Sequence, residues 1–190
     1  LNDGSGHFED ISDRAQLRYQ ETHSSPVLDD FDNDSVLDLV LTAVYPGRPT
    51  DFYWGNGDGS FDLDVYRAGI TTENGWGAAA ADFDHDGDVD LATYTLFENQ
   101  STSGEWLAVQ AIGNVASNRA AIGATVRVYA DQLLLTRHVQ GGSGQGCQDS
   151  QSLHFGLGFV TEVDAIEVDF PGGGTVRYDG PLASGQQLWR

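Results

Sequence analysis

The segment DFDHDGDVDL, residues 82–91, places Asp82, Asp84, Asp86, Asp88 and Asp90 on alternate positions around one glycine, Gly87. Side chains at the first, third, fifth and ninth positions, with the backbone carbonyl of the seventh, can curl round one hard cation, and glycine at the sixth supplies the sharp turn. The expected ligands are Asp82, Asp84, Asp86, the Asp88 carbonyl and Asp90. Oxygen-only donors on a flexible loop favour Ca²⁺ over Zn²⁺, while Mg²⁺ demands stricter octahedral geometry. A second segment, DFDNDSVLDL at 30–39, repeats the spacing and offers Asp30, Asp32, Asp34, the Val36 carbonyl and Asp38, so two ions are expected. Ser35 stands where Gly87 does, and a serine held at positive φ costs on the order of 1 kcal/mol more than glycine. Val36 stands where Asp88 does, which makes the Asp88 side chain dispensable as a ligand.

The bland alternative is a solvated acidic turn, since Asp, Asn and Gly are turn formers. Against it stand the repetition at fixed spacing and the mutual repulsion of four or five carboxylates folded together without a cation. An EF-hand is excluded because the twelfth position is Thr93 in one loop and Leu41 in the other, and the flanks read as strands.

Other reactive side chains assemble no catalytic constellation, so the chain is not expected to be an enzyme. His154 lies inside an alternating strand and reads as structural; His85 points away from the ion, and His7, His23 and His138 read as surface, the last beside Arg137. Ser143, Ser150 and Ser152 lie near Cys147 and Asp149, but no nucleophile elbow accompanies them. The lone Cys147 reads as a small buried hydrophobe. Tyr53, Trp54 and Trp76 offer either core packing or a sugar platform, with core the stronger reading for at least one of them. Asn99 opens an N-x-S match to a glycosylation acceptor.

The elements that must position these loops are strands. Of 190 residues, 24 are Gly and 5 are Pro, and short β-branched or aromatic runs between Gly/Asn/Asp clusters predict an all-β protein. Strands are expected over 37–44, 50–55, 60–67 and 89–97. The two acidic loops recur 52 residues apart, as do the turns NDGSGHF and NGDGSF to within one residue, and four short strands per such unit suit a propeller blade. From residue 99 the period stops. WLAVQAIG, AIGATVRVYA, QLLLTRHVQ, SLHFGLG, DAIEVDF and TVRYDG alternate apolar with polar residues, which predicts an antiparallel sandwich or barrel of six or seven strands.

Charge divides the chain at the same place. Residues 1–98 hold 21 acids and 4 Arg, giving −17, and residues 99–190 hold 8 acids and 5 Arg, giving −3, for the total of −20. Two modules are expected, 1–98 and 99–190. A surface of this sign repels nucleic acid and anionic lipid, and no apolar run of about 18 residues predicts a membrane span. The start LNDGSG is expected to reflect a processed or partial product.

AAAADFDHDGDVDLATY together with YWGNGDGSFDL resembles the FG-GAP/VCBS-type calcium-binding repeats of integrin-like β-propellers, over residues 1 to about 98. Such repeats usually close in a ring of about seven blades, and this chain has about two, leaving strand edges to be satisfied by water or another chain. SNRAAIGATVRVYA (117–130), GGSGQGCQDSQSLHFGLG (141–158) and VDAIEVDFPGGGTVRY (163–178) resemble the ASPIC/UnbV domain that follows such repeats in the cartilage acidic protein family and bacterial relatives, with Phe170 where a tryptophan is common. The resemblance implies a secreted, extracellular location and calcium dependence. The expected function is a non-catalytic, calcium-stabilised adhesion or structural protein that meets a protein or glycan partner at the cell surface or matrix. Two alternatives are a filament subunit that self-associates through open strand edges, and a carbohydrate-binding or accessory module of a larger secreted enzyme.

Overall fold

The computed structural model describes residues 1–64, 66–101, 104–113 and 117–189. Among the described residues there are fourteen strands and no helix, arranged in four sheets of which none closes on itself. The protein is all-β.

The first sheet is a four-stranded antiparallel meander of β1 (His23–Asp29), β2 (Asp38–Ala43), β3 (Asp51–Gly55) and β4 (Phe61–Asp64), in that spatial order. This is a complete blade. The expected strand 60–67 stops at Asp64, where the Asp64 carboxylate accepts hydrogen bonds from the backbone N–H of Tyr66, Arg67 and Ala68 and turns the chain; Val65 lies outside the described residues. The second blade has three strands, β5 (Ala79–Ala81), β6 (Asp90–Ala92) and β7 (Leu96–Phe97). The single strand expected over 89–97 is broken by a turn in which Thr93 N–H and Oγ both donate to the Thr95 carbonyl. Val27, Phe31, Val40 and Phe52 of the first blade share one apolar cluster with Ala78, Ala80, Val89 and Leu91 of the second.

The remaining strands form a two-sheet sandwich. One sheet runs β10 (Leu133–His138), β9 (Thr125–Ala130), β12 (Glu162–Asp169), β13 (Thr175–Ala183), and the other runs β11 (Ser152–Gly158), β8 (Glu105–Gln110), β14 (Gln186–Trp189). Alternation explains it: Val126, Val128 and Ala130 of β9 and Leu107 and Val109 of β8 are fully buried in one cluster, while Arg127 and Tyr129 between them face outward. The seven strands match the expected number. One pairing does not match the expected antiparallel pattern, because β14 lies parallel to β8. QQLW is too short and too polar to read as a strand; its register with Leu107–Gln110 is a tertiary gift.

Candidate metal centre

Each acidic loop joins the first two strands of a blade. The β1–β2 ladder ends on the pair Asp29 and Asp38, and the β5–β6 ladder on Ala81 and Asp90, so the ninth-position aspartate opens the return strand in both. That carboxylate closes the loop. Asp38 accepts from Phe31 N–H at 3.0 Å and Gly55 N–H at 2.9 Å, and Asp90 accepts from Phe83 N–H at 2.9 Å and Asn99 N–H at 2.7 Å. The first-position carboxylate spans the turn: Asp30 takes Asp34 N–H and Ser35 N–H, and Asp82 takes Gly87 N–H. At the fifth position Asp34 and Asp86 each accept from the N–H two residues on, Val36 and Asp88.

The backbone repeats as closely as the hydrogen bonds. Asn33 and His85 at the fourth position have φ of 58° and 63°, and Ser35 and Gly87 at the sixth have 78° and 98°. Ser35 therefore adopts the left-handed conformation that its counterpart takes as glycine.

Ligand atoms of Asp30, Asp32 and Asp38 lie within 4.8 Å of one another, as do those of Asp82, Asp84 and Asp86. Two oxygens on one calcium ion can be at most about 5 Å apart, given metal–oxygen distances of 2.3–2.6 Å, so both groups fit a shared ion. Each group is a subset of its expected ligand set. Asp34 of the first loop and Asp90 of the second stand outside these groups. An independent sign of fit is Asp82 Oδ1, which is buried without a hydrogen-bond partner; an oxygen so placed is satisfied by a cation inside the loop.

Electrostatics point the same way. Burial, then the charges of Asp34 and Asp38, push the Asp30 carboxyl up to about 8, and burial pushes Asp38 up to about 7. Burial, then Asp86, Asp82 and Asp90, raises Asp88 to about 6. Asp32, Asp82 and Asp90 are raised as well, with burial the largest cause in each. These carboxylates are crowded beyond what water alone stabilises, which is the environment a divalent ion relieves.

Spacing gives Asp88 only a carbonyl role, but its side chain is 7% exposed and accepts from Asn33 Nδ2 at 2.9 Å. The same Asn33 amide donates to the Gly87 carbonyl at 3.2 Å, so its Oδ1 is left to accept from His154 Nε2 at 2.6 Å. One asparagine thus joins the first loop, the second loop and strand β11. Asn99 is a second clamp: its Nδ2 donates to the Phe31 carbonyl of the first loop at 2.7 Å and to the Val89 carbonyl of the second at 3.0 Å. Both amide hydrogens are taken, so the glycosylation reading of Asn99 is corrected. Neither clamp was legible in the sequence, although asparagine at the fourth position is well suited to positive φ.

The sandwich is seated on the loops. A Cβ on Gly156 would lie 2.1 Å from Asp30 Oδ2 and 2.6 Å from Asn33 Cα; on Gly104, 2.5 Å from the Asn33 carbonyl oxygen; on Gly87, 2.0 Å from Trp106 Nε1. Gly158 N–H donates to the Asn33 carbonyl at 2.8 Å. Arg137 turns inward from β10, with Nε and Nη2 buried and its charge facing Asp29 and Asp30, rather than lying on the surface. The free inner edge of β5 is covered too: Ala80 N–H donates to Asp149 Oδ1, and the Ala80 carbonyl accepts from Ser150 N–H, both at 2.9 Å.

With that geometry in hand, comparison with known families is direct. Residues 30–93 match the family described as FG-GAP-like repeat, and residues 114–188 match the family described as ASPIC and UnbV. The chain carries an FG-GAP-like repeat followed by an ASPIC/UnbV domain. No curated protein matches it. The FG-GAP-like match spans both acidic loops, and the ASPIC/UnbV match holds His154, Gly156 and Arg137, so the seam described above joins the two.

The remaining candidates fall as follows. His154 is 6% exposed and lowered to about 4 by burial, a structural histidine. His85 is exposed. His23 is not simply surface: its Nε2 sits 3.1 Å from Asp51, a buried carboxylate that also takes Arg18. Tyr53 is fully buried, and Trp54 packs on Phe52 and donates to Asp64 at 2.6 Å, which removes both as sugar platforms; Trp76 is 52% exposed. Cys147 is half-buried against Gly77 rather than in the core.

Proposed function

We propose that this chain is a non-catalytic, calcium-binding adhesion or structural module that works outside the cell. Two ions, one in each acidic loop, neutralise the carboxylates and hold the seat on which the ASPIC/UnbV domain rests. The observation that carries the reading is the convergence of Asp30, Asp32 and Asp38 and of Asp82, Asp84 and Asp86, with Asp82 Oδ1 buried and unpartnered. In that reading Asp30, Asp32, Asp38, Asp82, Asp84 and Asp86 hold the ions, Asp38 and Asp90 pin the loop entries, and the bound calcium supplies the compensating charge. FG-GAP repeats are typically extracellular, and among the described residues no helix is long and apolar enough to cross a membrane.

Thermal melting of the chain in calcium and in excess chelator tests this. At calcium a hundredfold above its dissociation constant the folded state gains about 2.7 kcal/mol per site, so the melting temperature should rise by several degrees. An unchanged curve in chelator defeats the reading. Because Asn33, Gly156 and Trp106 tie the sandwich to the loops, chelation should also raise hydrogen exchange in β8 and β11.

A further inference from the structure

We propose that the cleft between Trp106 and the start of β14 binds a neutral oligosaccharide. β8 sends Leu107 and Val109 into the sandwich core and therefore Trp106, Ala108 and Gln110 to the opposite face. Part of that face is used up in docking, where His154 and Gly156 of neighbouring β11 meet Asn33 and Asp30. The rest stays open as a cleft of about 470 Å³, within the range of small-molecule sites.

Its lining does not resemble the rest of the molecule. In a chain of net charge −20 the walls are built from Gln110, Gln151, Ser152, Gln186 and Gln187 over the floor residue Ala108, and ionisable side chains enter only at one rim, Asp82 and His85. Carboxamides and hydroxyls each offer both donor and acceptor, which is the complement of sugar hydroxyls. The indole adds what those groups lack, a flat apolar surface for the C–H face of a pyranose ring. Trp106 is also held in place: its ring stacks on His154 with planes 20° apart and centroids at 6.0 Å, and its edge abuts Gly87. Gln187 Nε2 donates to Ser152 Oγ at 3.0 Å across β8, which fixes that wall. A platform already immobilised loses little entropy on binding. Among the described residues no Lys or Arg lines the cleft and the carboxylate of Asp82 stands at its rim, which together with the overall charge disfavours acidic sugars.

The inference does not rest on the calcium reading, because none of the neutral lining residues is a candidate metal ligand. It places the glycan surface at Trp106 rather than at Trp54 or Trp76.

The test is calorimetric and tryptophan-fluorescence titration of the whole chain, at saturating calcium, with maltotriose, cellotriose, mannotriose and lactose, and with trigalacturonate as the acidic comparator. At least one neutral probe should bind saturably and trigalacturonate should not. Gln110→Ala and Gln151→Ala, both half-buried in the cleft wall, should each weaken that binding by about tenfold. Because Trp106 also packs on Gly87 and His154, its variant is Trp106→Phe, which keeps a ring but loses indole area and should weaken binding at a temperature where circular dichroism shows the variant folded. The proposal is overturned if no neutral probe saturates up to about 10 mM, if trigalacturonate binds as well as the neutral sugars, or if both glutamine variants bind like the parent.

Discussion

Replacing Asn33 should cost more than any surface substitution in this protein, and the amount can be worked from its contacts. Asn33→Ala removes the donor to Asp88 Oδ1 and the Gly87 carbonyl and the acceptor for His154 Nε2, all in a buried setting. Each buried group left without its partner costs about 1–3 kcal/mol, and the lower half of that range applies if water enters the vacated space. The backbone adds a second term. Asn33 has a φ of 58°, a conformation that alanine adopts at a cost of about 1 kcal/mol and glycine freely. The expectation is a loss of about 4–7 kcal/mol for Asn33→Ala and about 1 kcal/mol less for Asn33→Gly, against a total of about 5–15 kcal/mol for an ordinary domain. Urea denaturation at saturating calcium, followed by circular dichroism and fluorescence, measures both. An Asn33→Ala variant within about 0.5 kcal/mol of the parent would show that the bridge is not a stabilising contact. A double-mutant cycle with His154→Ala sharpens the test, since residues that share a hydrogen bond should give strongly non-additive losses.

Three further outcomes follow from the seam. Gly156→Ala drives a Cβ to 2.1 Å from Asp30 Oδ2 and 2.6 Å from Asn33 Cα, and because the second is backbone the docking must shift; a loss of about 2 kcal/mol or more is expected in thermal melts, and an unaffected variant would mean that the two halves are not pressed together there. Ser35→Gly should stabilise the chain by about 1 kcal/mol and tighten calcium at the first loop, because Ser35 sits at a φ of 78°; isothermal titration and melting check both. Burial lowers His154 to about 4 from its ordinary 6.5, so its contribution to stability is fully present above pH 6.5 and is lost as pH falls towards 4, by on the order of 3 kcal/mol in total. Asp30 and Asp38, raised to about 8 and 7, act with the opposite sign in metal-free protein. The clean reading is therefore parent against His154→Gln at each pH: the difference should narrow as the medium is acidified, and a constant difference would contradict the assignment.

Local regularities were readable from the chain alone. The alternating aspartates, the glycine at the sixth position and the recurrence after 52 residues fixed the loop, its donor chemistry and its repeat, because ligand spacing within one turn is a property of contiguous residues. Alternation located β8 to β13 for the same reason, and the shift in charge and periodicity near residue 98 located a change of architecture. The two strand errors in the first half, at 60–67 and 89–97, came from side chains bonding back to their own backbone, Asp64 in one and Thr93 in the other. That competition is local too, but propensity does not weigh it.

What only the tertiary structure decided is how distant segments use one another. Spacing nominated every ninth-position aspartate as a ligand, whereas the fold shows each one also pinning its loop entry and a remote N–H, Gly55 or Asn99. It nominated Asp88 for its carbonyl alone, while the side chain meets an asparagine 55 residues away. His154, 121 residues from Asn33, could be read as structural but not given a partner. The physical reason is that a hydrogen bond across a docking surface leaves no period in the sequence: it depends on which faces the sheets bury and on where glycine lets two backbones approach. The chain therefore states plainly what each loop can hold, and only the packed molecule states what those loops hold up.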